Sequence, residues 1–248
     1  MDTMTFTDMI AKSYAFNKEI YYTSPDWSKV KELFIMNQPD KKIHIPKKIH
    51  QIWLGNTIPT PYYKYMDSWA KYHPDWEYRL WTDNNIKDID ITSREVFEQA
   101  KNPAMRSDIL RYEILKKYGG LYVDTDFECL KPFDDLLYLN FFTGISYDSS
   151  LQLYNGLIAS IPGHPILEDC VKVNEVYLGN KGSRIISITG AYHFTRCFLR
   201  NVISRTVAFP MEYFYPYPNN IRDIGDPYSF VTENTYAIHH WAISWIKK

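Results

Sequence analysis

The stretch AMRSDILRYEILKKYGGLYVDTDFECLKPFDDL (residues 104–136) decides the fold class. From Pro103 to Tyr118, Ala104, Asp108, Arg111, Tyr112 and Leu115 recur at three- and four-residue steps, while Met105, Ile109 and Leu110 widen the apolar side. That period predicts a helix, and the pair Gly119-Gly120 ends it as a C-cap does. Leu121–Phe127 then reads as a strand that carries two acids, Asp124 and Asp126, at its far end. A strand after a long helix, with more strands upstream, predicts an α/β domain with a mostly parallel core.

Upstream, Trp76–Trp81 alternates like a strand and ends at Thr82-Asp83. Before it, Pro59-Thr60-Pro61 opens a helix that runs through Trp69 and Tyr72 and stops at His73-Pro74-Asp75. Ile43–Gly55 (IHIPKKIHQIWLG) is read as the first strand, closed by Gly55. Downstream, Phe141–Ile145 and Gly156–Ser160 read as strands, Pro165 to about Tyr177 as a helix, and YAIHHWAISW (residues 236–245) as a closing strand. Residues 1–42 form a helical N-terminal extension ending in the charged turn Gln38–Lys42, which leaves 43–248 as the main domain. There is no internal repeat.

Of 248 residues, 45% are hydrophobic and 23% charged, which excludes disordered, collagenous and coiled-coil classes. Lys+Arg 28 against Asp+Glu 29 gives a net charge of −1, so bulk charge argues against a nucleic-acid partner. Aromatic content is 17%, and rings stack on sugar faces and bases, so composition permits a carbohydrate or nucleotide ligand. Cys129, Cys170 and Cys197 follow neither a zinc pattern nor a disulfide framework and are expected as reduced thiols. The N-terminus lacks the pattern of a signal peptide, and the densest apolar run, Leu136–Phe142, is far too short to span a bilayer. The expectation is a cytoplasmic protein, with peripheral contact at the inner face of the membrane left open.

Asp is depleted inside strands, so Asp124-Thr125-Asp126 needs a reason. In an extended chain the carboxylates at i and i+2 project to one side, and two anions so close repel unless a cation lies between them. Oxygen ligands favour Mg²⁺ or Mn²⁺. A lone D-x-D also occurs as a solvated strand end. Asp108 and Arg111, three apart, share a helix face, with Arg106 in the first turn. An Arg fork beside a metal suits a diphosphate.

Four ordered blocks carry a resemblance: IPKKIHQIWLG, SWAKYHPDWEYRLWTD, residues 104–136, and HHWAISW. Together they resemble the DXD-containing sugar transferases of glycosyltransferase family 32, which include yeast-type initiating mannosyltransferases and bacterial capsule and surface-glycan enzymes. The chain is more distantly similar to the glucosylating domain of the large clostridial toxins. The resemblance implies a GT-A fold, a Rossmann-like α/β domain binding a nucleotide-sugar at the strands' C-terminal ends. Gln51, Ile52 and Trp53 would border the nucleoside, with Trp53 against the base, and Asp83 would lie near the ribose or base. Arg106, Asp108 and Arg111 would hold the donor sugar and its phosphates. Asp124 and Asp126 would hold Mn²⁺ or Mg²⁺, with His240 completing the metal shell and His239 the competing choice. Trp245 would contact the donor. Asn155-Gly156 resembles a block near the sugar pocket, and Thr189-Gly190 the family's TG segment, although Ala191 stands where many relatives have Pro and leaves the acceptor open.

The reaction so implied is retaining hexosyl transfer to a glycan or lipid-linked hydroxyl, in surface polysaccharide or glycoconjugate synthesis. A UDP-sugar is favoured over GDP-mannose as donor, although no base-reading residue is identifiable. Two rival readings are a D-x-D phosphatase, whose usual pattern Asp126-Phe127-Glu128 breaks, and a lectin that kept the fold and lost catalysis.

Overall fold

The computed structural model describes residues 4–55, 57–87, 89–100, 102–146, 148–173, 185–223 and 225–242. Along the chain run α1 (Phe6–Ala11), α2 (Lys18–Thr23), α3 (Pro25–Ile35), β1 (Lys48–Trp53), α4 (Thr60–Tyr72), β2 (Glu77–Thr82), α5 (Arg94–Gln99) and α6 (Pro103–Tyr118). They are followed by β3 (Gly120–Val123), β4 (Phe127–Cys129), β5 (Phe141–Ile145), β6 (Leu153–Ser160), α7 (Pro165–Cys170), α8 (Ile185–Ile188), α9 (Ala191–Arg200), β7 (Thr206–Phe209) and β8 (Ala237–His239).

Helix α6 keeps the bounds its sequence predicts. The Asn102 side chain accepts from Ala104 N, Pro103 occupies the first turn, and Gly119 caps the end at φ +62°. Gly120 follows at φ +95°, where a Cβ would lie 2.6 Å from Lys48 O. Only glycine permits that backbone approach, and it brings β3 against β1. Ile109, Leu110, Ile114 and Leu115 are fully buried, each contributing about 1.5–3 kcal/mol by burial.

The main sheet has the order β2-β1-β3-β6-β5-β7. Strands β2, β1 and β3 pair in parallel, β6 runs antiparallel to both β3 and β5, and β7 is parallel to β5. Five of the six strands therefore point the same way, as expected of a mostly parallel α/β sheet. From β1 the chain crosses through α4 to β2 on one side, then returns through α5 and α6 to β3 on the other. The β1/β3 boundary is thus a switch point, where open α/β sheets bind ligands beyond their carboxyl ends. A second, two-stranded sheet pairs β4 with β8, with Phe127 opposite His239.

Several boundaries differ from the sequence reading. The first strand starts at Lys48 rather than Ile43, since the His44 and Ile45 amides donate to Leu137 O and Pro46 has none to give. Leu121–Phe127 is not one strand. Strand β3 stops at Val123, and Phe127 N donates back to Asp124 O at 3.1 Å, closing a turn before β4 enters the other sheet. Helix α7 ends at Cys170, short of Tyr177, which lies outside the described residues. Strand β6 begins at Leu153 rather than Gly156, and β8 spans three residues before Trp241 turns to φ +52°.

The boundary drawn at residues 42 and 43 falls between α3 and β1. Helices α1–α3 pack on the body of the protein. Phe34 meets Phe209 of β7 edge-on with centroids 5.9 Å apart, and Lys12 pairs with Glu212 at 2.7 Å.

Candidate active site

Asp124 leaves β3 at its carboxyl end, beside β1. Its Oδ1 accepts from Tyr122 OH at 2.6 Å and lies 3.2 Å from Arg111 Nη1. Its amide donates to Gly156 O at 2.8 Å, and its carbonyl accepts from Gln51 Nε2 at 3.3 Å. A Cβ on Gly156 would lie 2.7 Å from Asp124 Oδ2, so a glycine leaves that carboxylate its space.

Asp126 sits two residues on, past the turn. Its Oδ2 accepts from Ala242 N at 2.9 Å and its Oδ1 lies 3.0 Å from His239 Nε2. The β4–β8 ladder, with Phe127 opposite His239, makes this meeting possible. The His239 ring is sandwiched between Phe127 at 4.4 Å and Trp241 at 4.1 Å. Donor atoms of Asp124, Asp126 and His239 all lie within 4.8 Å of one another.

The structure separates the two adjacent histidines. His240, the first choice for the metal shell, points elsewhere: its Nε2 lies 2.9 Å from Glu128 Oε2 and its ring stacks on Tyr65 at 4.0 Å. His239 is the last residue of β8, and of the two rings it is the one that meets Asp126.

Burial pushes the Asp124 carboxyl above its usual range; Arg111 opposes this and the Asp126 charge adds to it. Burial acts on Asp126 too, but the charge and hydrogen bond of His239, with the Ala242 N–H, hold that carboxyl below the usual range. Two acids and an imidazole converging here suit a small divalent cation of the Mn²⁺ or Mg²⁺ kind. One atom fits the same reading: His239 Nδ1 is buried with no hydrogen-bond partner.

Behind the acids runs a buried polar network. Asp108 Oδ1 accepts from Asn155 Nδ2 at 2.8 Å and Oδ2 from Thr189 Oγ1 at 2.9 Å. Arg111 Nη2 lies 3.2 Å from Asp108 Oδ1. Burial pushes the Asp108 carboxyl up, and Arg111 opposes it. Arg111 also donates from Nη1 to Asn155 O and from Nε to Ser107 O, and stands over the Tyr122 ring at 4.5 Å. All three of its nitrogens are engaged within the chain, and its side chain is only 6% exposed. The expectation that Arg111 forks a diphosphate does not fit this burial, because the guanidinium is committed to aligning Asp108 with Asp124. Arg106 is the more accessible of the two, half-buried at the start of α6 and 3.9 Å from Asp83 Oδ1. Asp83 in turn accepts from Gly55 N at 2.7 Å.

Other expected contacts also move. Gln51 and Ile52 are buried within β1; the Gln51 side chain donates to the Asp124 carbonyl and accepts from Tyr78 OH. Trp53 is half-buried with its ring 5.2 Å from Tyr62. Thr189 and Gly190 lie just before α9, with Thr189 on the network. Trp245 is outside the described residues. Sequence reading missed Tyr122, whose place two residues before Asp124 on one strand face was the available signal. It also missed the Ala242 amide, for which a backbone donor leaves no signal.

Residues 59–142 match the family described as the glycosyltransferase sugar-binding region containing the DXD motif. An uncharacterized glycosyltransferase of Acanthamoeba polyphaga mimivirus is 30% identical over 217 residues, covering 81% of this chain and 84% of that protein. The chain belongs to the DXD-containing sugar transferases of glycosyltransferase family 32. This glycosyltransferase is also 31% identical over 170 residues to inositol phosphoceramide mannosyltransferase 3 of Schizosaccharomyces pombe, and 36% over 138 residues to a mannosyl phosphorylinositol ceramide synthase of Saccharomyces cerevisiae. These alignments cover 67% and 54% of the chain, but only 42% and 36% of the two yeast proteins. Among solved structures, the PaToxG glycosyltransferase has a TM-score of 0.51 at 24% identity, covering 64% of this chain and 70% of that one. The catalytic domain of alpha-toxin from Clostridium novyi has a TM-score of 0.51 at 12% identity, covering 89% and 84%. Both share the GT-A fold.

Proposed function

We propose that this glycosyltransferase moves a hexosyl unit from a nucleoside diphosphate sugar to a hydroxyl acceptor, with retention at the anomeric carbon. The observation that carries the reading is the convergence of Asp124, Asp126 and His239 at the switch point of the sheet. These three residues would hold Mn²⁺ or Mg²⁺, which when bound supplies a Lewis acid for a departing diphosphate.

The chain's own groups do the rest. Asp108, buried and engaged by Asn155, Thr189 and Arg111, holds the polar network behind the donor site in place. Arg111 keeps Asp108 and Asp124 in register. Arg106 offers a half-buried guanidinium for phosphate oxygens, and the half-buried Trp53 a face for the base. The acceptor hydroxyl gives its proton to the leaving phosphate on the same face of the sugar, so no enzymatic base is required. Residues 43–248 constitute the transferase domain and 1–42 an extension to it.

The relatives' names support a mannosyl donor and an inositol-bearing lipid acceptor as the leading pair, ahead of a capsular polysaccharide. Such an acceptor suits a cytoplasmic protein docked peripherally on a membrane. No helix among the described residues is long and apolar enough to cross one.

The test is a panel of GDP-mannose, UDP-glucose, UDP-galactose and UDP-GlcNAc with Mn²⁺, read by thermal shift and then by turnover with a phosphorylinositol lipid. The true donor at about 100 times its Kd adds about 2.7 kcal/mol to apparent stability and is slowly hydrolysed without acceptor. Mass spectrometry then finds one hexose on the lipid. Stabilisation without any donor cleavage would favour a lectin, and preferential cleavage of phosphomonoesters would favour a phosphatase. Either result overturns the proposal.

A further inference from the structure

The fold brings together two cysteines that are far apart in the chain. Cys170 ends α7 and Cys197 lies within α9, on helices packed against each other. The sulfurs of Cys170 and Cys197 and a ring nitrogen of His193 lie within 4.8 Å of one another, and all three residues are buried. His193 Nε2 is 3.7 Å from Cys197 Sγ and 2.9 Å from Cys170 O. Arg200 Nη2 stands 3.8 Å from Cys197 Sγ while pairing with Asp169 at 2.9 Å.

This surrounding selects among the things a dithiol can do. The ring nitrogen nearest Cys197 is already engaged with the Cys170 carbonyl, and a guanidinium beside the sulfur repels a metal cation. The same groups favour a thiolate, the reactive form of cysteine. Both cysteines are fully buried, so an oxidant reaches them only past the side chains of a neighbouring cleft. A cleft of about 470 Å³ is lined by Asp169, Arg200 and Asn201 among others. Arg200 reaches Cys197 Sγ from that cleft, Asn201 holds the Cys197 carbonyl, and the Arg200 side chain is 61% exposed.

We propose that Cys197 and Cys170 form a hydroperoxide-sensitive dithiol, in which Cys197 attacks the oxidant and Cys170 resolves the product to an intramolecular disulfide tying α7 to α9. In the first step the Cys197 thiolate attacks one peroxide oxygen. The O–O bond breaks, the other oxygen leaves with the electron pair and takes up a proton, and Cys197 becomes a sulfenic acid. In the second step the Cys170 sulfur attacks the sulfenic sulfur. The S–O bond breaks, and hydroxide departs with the Cys170 proton as water. The two sulfurs lose two electrons and the peroxide gains them. To reach the ~2.05 Å of a disulfide, the sulfurs must approach by less than about 3 Å.

The protonation pattern agrees. Hydrogen bonds from Cys170 and His193 pull Cys197 down to about 5 against its burial, while burial pushes Cys170 well up. Cys170 is therefore the protonated partner that donates and then resolves. Cys129 is a built-in control, since burial pushes its thiol far up and its Sγ donates to Lys131 O.

The experiment uses the full chain, reduced, desalted and given one equivalent of hydrogen peroxide. It is then quenched with maleimide under denaturing conditions and peptide-mapped. The expected result is a Cys170–Cys197 linked peptide with Cys129 fully labelled. Cys170→Ser should stop at a Cys197 sulfenic acid trapped by dimedone, and Cys197→Ser should consume peroxide at least tenfold more slowly. Equal oxidation of all three thiols, or Cys197 reacting no faster than Cys129, would overturn the proposal. So would one zinc per chain in the purified protein, lost on Cys197→Ser. The wild-type map decides the matter even if a variant fails to fold.

Discussion

Gly156→Ala is the sharpest probe of the site, because it adds one methyl group where the structure leaves room for none. The new Cβ would sit 2.7 Å from Asp124 Oδ2 and 3.4 Å from Phe127 Cε2. To restore an ordinary contact of 3.4 Å, the carboxylate must retreat by about 0.7 Å. It is held on its other side by Tyr122 OH and Arg111, so retreat loosens one of those contacts. The stability cost is one hydrogen bond, about 1 kcal/mol, because Gly156 lies in β6 and its backbone suits alanine. The functional cost is larger. A displacement approaching 1 Å at a reacting centre costs on the order of 100-fold in rate. The assay is Mn²⁺-dependent donor hydrolysis alongside thermal melting without metal. The expected outcome is a melting temperature lower by only about 2–4 °C, with hydrolysis down roughly 100-fold. Full hydrolysis at unchanged metal dependence would refute the argument that the Asp124 carboxylate position matters.

The two histidines should behave differently: His239→Ala is expected to weaken Mn²⁺-induced stabilisation by at least tenfold in apparent affinity, and His240→Ala by less than threefold, as read by thermal shift. Asp108→Asn exchanges a charge-assisted pair with Arg111 for a neutral one. It should cost about 1–3 kcal/mol in denaturant unfolding and depress turnover, and retained turnover would remove Asp108 from the reaction. Burial lowers His50 and His164 to about 4 each, against about 6.5 in the unfolded chain. The unfolded chain therefore binds more protons in between, so stability is full above about pH 6.5 and is lost as pH falls toward 4. The slope is about 1.4 kcal/mol per pH unit for each group. Denaturant midpoints that stay flat from pH 6.5 to 4.5 would contradict it.

Local signals in the sequence carry local structure well here. Helix α6 was legible to the residue because Pro103 and Gly119 mark its ends, and α4 because His73-Pro74 stops it. Five parallel strands and one reversed follow from alternation of elements only in outline, since nothing local tells β6 which way to run. The acidic pair was legible as a site but not as a shape. Extended backbone would put both carboxylates on one side, whereas the Phe127 N–H to Asp124 carbonyl bond makes a turn and sends the chain into the second sheet. His239 and His240 could be told apart only once β8 had a partner. Arg111 reads as a phosphate ligand until its burial is known, because exposure is a tertiary property. The Cys170–Cys197 pair was illegible for the same reason, as the approach of α7 to α9 has no counterpart in spacing.

The central claim is that one divalent cation is held by Asp124, Asp126 and His239. Titration of the full chain with Mn²⁺, followed by electron paramagnetic resonance, measures this directly. The account predicts one bound ion per chain, tightened by the nucleoside diphosphate and weakened at least tenfold in Asp126→Ala and in His239→Ala. Binding that survives both substitutions unchanged, or no bound ion with the nucleotide present, would contradict it.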